Sequence, residues 1–82
     1  MIEIIIVIEG SLLKKKPYQH LKEKLDLPEY FGYNLDALYD CLTDIGIETT
    51  IKIKDKDLVN QDLLYTFIDA SNVNRYLSIE YL

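Results

Sequence analysis

The chain opens on an almost unbroken apolar run, Ile2 to Ile8, broken only by Glu3. On a strand, Ile2, Ile4, Ile6 and Ile8 share one face, and Ile5 and Val7 occupy the middle of the other. A strand apolar on both faces is expected at the centre of a sheet. Two more strands are predicted from strict alternation. In Thr50–Lys54, Ile51 and Ile53 share a face. In Tyr76–Leu82, Leu77, Ile79 and Tyr81 share one face, and Ser78 and Glu80 take the other. One wet face each marks these two as edge strands.

Between the strands the apolar period lengthens to that of a helix. A first helix is predicted over Pro17–Leu25. Pro17 suits its first position, and Tyr18, Leu21 and Leu25 share a face, although Lys16 is a poor cap. Pro28 closes that region, and Gly32 permits a tight loop. A second helix is predicted over Leu35–Thr43, with Asn34 as its N-cap and Tyr33 and Leu38 as a hydrophobic staple. A third, about Asn60–Ser71, carries Leu63, Leu64, Phe67, Ile68 and Ala70 at helical spacing. The order β-α-α-β-α-β predicts an α/β fold: a three-stranded parallel sheet with about three helices and right-handed crossovers. Two half-wet strands place the helices mainly on one face of that sheet. Residues 1–82 are expected to form a single domain.

Composition narrows the class. Apolar residues make up 49% of 82 residues, enough for one modest core. The net charge of −5 disfavours nucleic acid and anionic membranes as partners and favours a basic protein surface. Cys41 is the only cysteine, so no internal disulfide forms, and a reducing, cytoplasmic location is expected. The apolar N-terminal run does not read as a signal peptide or a membrane span. Glu3 and Glu9 flank it, no basic region precedes it, and it is too short.

The candidate chemistry lies in Leu27–Leu42, LPEYFGYNLDALYDCL. On a helical wheel Leu35, Leu38, Cys41, Leu42 and Ile45 form an apolar stripe. Asp36 and Asp40 sit about 40° apart on the opposite side, with Thr43 beside them and Tyr39 at the edge. Asp36 is explained by the positive end of the helix dipole. Asp40 is not: it is mid-helix, it repels Asp36 and Asp44, and no basic residue stands three or four positions away. Tyr30, Phe31 and Tyr33 crowd one loop, more than anchorage requires, and exposed tyrosine is typical of binding surfaces. One or two of the three are expected in the core.

Two aspartates at this spacing also resemble a glycosidase pair or a hydrolase metal site. Nothing completes either set. His20, the only histidine, falls on the wet side of the first helix, and Cys41 faces the apolar stripe. No phosphate-binding loop and no nucleophile–base pair is present. No catalytic residue, metal site or cofactor is therefore assigned.

The segment LKEKLDLPEYFGYNLDALYDCLTD resembles the core motif of the barstar family, intracellular inhibitors of the ribonuclease barnase. The family pattern, L-P-x-Y-[YF]-G-x-N-[LW]-D-A-L-x-D-x-L, runs from Leu27 through Leu42 with almost no break. The resemblance implies a barstar-like fold and an inhibitory surface made by this loop and helix. Asp40 would be the central acidic anchor and Asp36 its neighbour. Tyr30 would lie over the enzyme's catalytic groups, and Tyr39 would pack where the family often has tryptophan. Gly32 and Asn34 would shape the loop. Asp69, on the last helix, would match a peripheral acid. With Phe31, Tyr33 and Thr43, these residues form the expected contact set. The implied partner is a basic secreted ribonuclease or similar toxin, met by a chain that is monomeric when free. The alternative is an immunity or regulatory protein of the same fold, binding another basic partner. There are departures. Tyr33 stands where a polar residue is common, and Ile45 and Gly46 replace an aromatic. The family's short extra helix is expected to be lost or reduced to a turn around Asp55–Val59.

Overall fold

The structure, a computed structural model, describes residues 2–82. Three strands, β1 (Ile4–Glu9), β2 (Thr49–Lys54) and β3 (Leu77–Tyr81), form one parallel sheet in the order β1-β2-β3. The pairing is unbroken, from Ile4 opposite Thr49 to Glu9 opposite Lys54, and from Thr49 opposite Leu77 to Ile53 opposite Tyr81. The predicted parallel α/β architecture is present.

The placement of the strands corrects the expectation from pattern. β2 is central, and the doubly apolar β1 is an edge. The two faces of the sheet differ in cover. Ile8, Ile51, Ile53 and Leu77 are buried beneath the helices, whereas Ile5 and Val7 remain 55% and 38% exposed on the uncovered face. That face is otherwise polar. Glu3 accepts a hydrogen bond from the Thr50 hydroxyl at 3.3 Å, and Lys52 pairs with Glu80 at 3.8 Å. The second apolar face of β1 therefore reports a half-wet sheet, not a second helical layer.

Four α-helices cover the other face: α1 (Gly10–Lys15), α2 (Pro17–Lys24), α3 (Leu35–Thr43) and α4 (Gln61–Val73). α1 is additional to the three expected. It follows β1 without a loop and buries Leu13. Gly10 is required at its start by a close backbone approach: a Cβ there would lie 2.2 Å from the Asp55 carbonyl oxygen and 2.6 Å from that of Lys54. Between β2 and α4 a single 3₁₀ turn, Lys56–Leu58, stands where a reduced extra helix was expected. Asn60 then caps α4, its side chain accepting from the Asp62 amide at 2.8 Å. The core is one cluster, with Ile8, Leu21, Leu38, Leu42, Ile51, Ile53 and Phe67 fully buried. Leu38 and Leu42 fix which side of α3 faces inward, and so which side faces out. Among the described residues no helix is long and apolar enough to cross a membrane.

Candidate functional site

The loop before α3 is built by one buried ring. The Phe31 amide donates to the Pro28 carbonyl at 2.9 Å, closing a turn that drives Phe31 inward to 4% exposure. Its ring meets Tyr18 at 6.2 Å between centroids and Tyr33 edge-on at 5.3 Å. Tyr30, one residue earlier, is thereby thrown outward and is 88% exposed. Phe31, expected among the contact residues, is buried, whereas Tyr30 beside it stands outward.

Gly32 does not take a left-handed conformation; Tyr33 does, at φ 50°. A Cβ on Gly32 would sit 3.1 Å from Asn34 Nδ2, a fit that crowds the hydrogen-bonded Asn34 side chain. Asn34 holds both ends of the turn. Its Oδ1 accepts from the Ala37 amide at 2.8 Å, and its Nδ2 donates to the Gly32 carbonyl at 3.0 Å. The half-exposed Tyr33 ring lies beside Lys22, whose ammonium is 5.8 Å from the ring centroid and 3.4 Å from a Glu29 carboxylate oxygen. The Tyr33 phenol chiefly holds the Lys22 ammonium above the ordinary lysine pKa; desolvation opposes it, and Glu29 adds a smaller upward push.

From this cap α3 presents its polar side outward. Asp36, Asp40 and Asp44 are exposed, while Leu38 and Leu42 are fully buried. Only two ion pairs form among the described residues, Lys22–Glu29 and Lys52–Glu80, so all three carboxylates on this helix lack an internal partner. Tyr39 is half-buried against the core at the edge of the acidic side. The Thr43 hydroxyl is occupied within the helix, donating to the Tyr39 and Asp40 carbonyls at 3.0 and 3.1 Å. Asp69 lies on the exposed side of α4 and joins no ion pair.

The structure brings in one residue that pattern did not single out. Asn74, 7% exposed, donates from Nδ2 to the carbonyls of Leu42 at 3.0 Å and Ile45 at 2.9 Å, and so ties the end of α4 to the end of α3. An asparagine closing a helical pattern is a recognisable cap, but nothing in the sequence marks its reach to another helix. Two smaller expectations also change. His20 is half-buried, with Nε2 enclosed and unpartnered, not on a wet side. Cys41 packs on the core only in part and also lines a surface groove. Its burial first, then Asp40 and Asp44, raise its thiol pKa above the ordinary value.

Neither Asp36 nor Asp40 lines the surface grooves of about 500, 500 and 250 Å³, although Tyr30 and Asp44 line the first and Tyr33 the second. No group of three or more His, Cys, Asp or Glu side chains among the described residues is placed to hold a metal ion.

The fold and this surface define a class: a small parallel α/β protein that displays an uncompensated acidic helix beside an outward tyrosine. A sequence model of the family described as Barstar (barnase inhibitor) matches residues 3–75. The chain belongs to the barstar family. It is also similar to the "Putative ribonuclease inhibitor YrdF" of Bacillus subtilis (strain 168), with 41% identity over 58 residues. That match covers 67% of this chain and spans 64% of the relative's length.

Proposed function

We propose that this chain inhibits a basic ribonuclease by laying α3 across the enzyme's phosphate-binding cleft, with Tyr30 over the catalytic groups. Family membership supports an inhibitor, not a catalyst. The observation that carries the mechanism is the pairing of three exposed, internally unpaired carboxylates with a tyrosine 88% exposed beside them. A ribonuclease gathers arginines and lysines to bind RNA phosphates. Asp36 and Asp40, about 40° apart on a capped helix, present two negative charges at a fixed spacing to such a cleft. The Asn34 cap and the Phe31 anchor hold this geometry before the partner arrives, so little ordering entropy is lost on binding. A net charge of −5 steers encounter with a cationic enzyme and makes association salt-sensitive. Asp40 is the central anchor. Asp36, Tyr39 and Thr43 flank it, and Asp69 contributes at the periphery.

Titrating barnase and a panel of basic secreted ribonucleases with the purified protein, on a fluorogenic RNA substrate, tests this reading. Stoichiometric loss of cleavage is expected for at least one of them, and added salt slows the association. Hot-spot truncation costs roughly 2–4 kcal/mol at interfaces generally, this family's own complex being among the reference cases. Asp40→Ala is thus expected to weaken inhibition at least tenfold. Full activity of every ribonuclease in the panel at micromolar protein would remove the inhibitor reading in favour of another basic partner.

A further inference from the structure

The groove beside the acidic helix shares only Tyr30 with the contact just described. It holds about 500 Å³ and runs between the β1 edge, the loop after α2 and the end of α3. That volume lies within the usual range for built binding sites, about 300–1,000 Å³. Its lining is largely aliphatic, with Ile4 and Ile6 of β1 and Leu25, Ile45 and Ile47 from the segments beside α3. Ile4 and Ile47 remain 39% and 51% exposed, so this apolar surface is left wet. The hydroxyl of the lining Thr49 is already committed, donating to the Ile47 carbonyl at 2.7 Å. The charged groups on the lining are two carboxylates, Asp26 and Asp44, and no basic residue joins them.

Two features indicate the occupant. First, the groove is continuous with the proposed contact surface: Tyr30 lines it, and Asp44 caps the same helix that carries Asp36 and Asp40. Second, its lining is mostly apolar and carries two carboxylates and no basic residue. Dissolved anions are repelled, and an aliphatic or aromatic side chain flanked by arginine or lysine is matched at both levels. We propose that this groove seats such a basic-flanked apolar side chain of the same ribonuclease, as a second anchor beside the acidic helix. The inference rests on the inhibitor reading and adds to it a site made of shape and apolar burial, not of charge. Its contribution falls mainly on dissociation, since apolar contacts form after the charge-steered encounter.

The test uses barnase and the same ribonuclease panel as probes, with association and dissociation rates measured at several salt concentrations. Gly46 lines the groove and has open space for a side chain, with no heavy atom within 4 Å of a Cβ there. Gly46→Phe therefore adds a bulky ring at the groove lining with no clash at its Cβ. Dissociation at least tenfold faster is expected, with the association rate and its salt dependence within twofold of wild type. Ile47→Ser should act in the same direction. In the wild-type complex, cross-saturation from the enzyme should reach the Ile4 and Ile47 methyl groups, a readout independent of any substitution. Wild-type dissociation rates for both variants, or no saturation at those methyls in a complex that Asp40→Ala weakens, would overturn the groove and leave the acidic helix standing. Absence of any ribonuclease binding by the wild type would overturn both.

Discussion

The side-chain amide of Asn74 donates to the main-chain carbonyls of Leu42, at 3.0 Å, and Ile45, at 2.9 Å. Its own oxygen accepts from the Tyr76 amide at 3.0 Å. One buried residue thus satisfies the open end of α3, orients α4 against it and starts the approach to β3. Asn34 secures the other end of α3, so the acidic helix is held at both ends by asparagine. Asn74→Ala leaves two carbonyls and one amide in a poorly hydrated place. The expected loss is about 2–3 kcal/mol of unfolding free energy, at roughly 1 kcal/mol per hydrogen bond. Asn74→Asp is expected to be worse at neutral pH, because a carboxylate then faces two carbonyl oxygens. Urea unfolding of the three proteins ranks them, and equal midpoints would remove this role for Asn74.

The two glycines Gly10 and Gly46 make a contrasting pair. A methyl group on Gly10 collides with backbone carbonyls of Lys54 and Asp55, which cannot rotate away as a side-chain end would. Gly10→Ala must push the start of α1 from the end of β2, at a cost of about 1–3 kcal/mol, the usual range for overpacking. A methyl group on Gly46 meets nothing within 4 Å. Gly46→Ala should leave stability within about 0.5 kcal/mol of wild type. Thermal unfolding of both variants checks the pair.

These cases show where the sequence is informative and where it is not. The bounds of α3 and its Asn34 cap were legible because the apolar stripe Leu35–Leu38–Leu42 and a short polar residue before it are local features. So was the outward direction of Asp36 and Asp40. Neighbours across the sheet are not local: β1 is apolar on both faces, and nothing in that pattern says that β2 lies between β1 and β3. α1 escaped notice because six residues with no side-chain cap carry little helical pattern. It is held by Leu13 in the core and by the close approach at Gly10. Tyr30 and Phe31 are adjacent aromatics with equivalent patterns. The turn closed by the Phe31–Pro28 hydrogen bond leaves Phe31 buried and Tyr30 displayed, a choice set by tertiary packing that the sequence pattern does not show.

Cys41 offers an internal probe of the acidic surface. Burial first, and then the charges of Asp40 and Asp44, keep its thiol protonated above the usual pH. Alkylation by iodoacetamide near pH 8 should therefore be slower than for an unstructured cysteine peptide. Asp40→Asn with Asp44→Asn, or added salt, should speed it by weakening the repulsion of the thiolate. The sign for stability follows. A raised folded-state pKa means that the folded chain holds the proton more tightly, so the contribution is present below the ordinary thiol value and is lost as pH rises through the folded one. Cys41→Ser should remove that alkaline part of the pH profile. Alkylation at the peptide's rate would show that the carboxylates exert no field on this position.

The clearest prediction sets stability against inhibition at one residue. Asp40 lies in the last turns of α3, where the dipole is unfavourable to a carboxylate, and it repels Asp36 four residues before it. Aspartate is also a poor helix former beside alanine. Asp40→Ala should therefore stabilise the free protein, by about 0.5–1 kcal/mol from helix propensity and relieved repulsion together. Asp36→Ala should change stability by less than about 0.5 kcal/mol, since the lost dipole interaction near the Asn34 cap offsets the same gains. On the inhibitor reading both variants bind a basic ribonuclease more weakly, Asp40→Ala at least tenfold. A protein that becomes more stable and less inhibitory on loss of one exposed carboxylate carries that charge for its partner, not for its fold. Equal or lower stability of Asp40→Ala in denaturant unfolding would instead give Asp40 a structural role and weaken its assignment as the anchor.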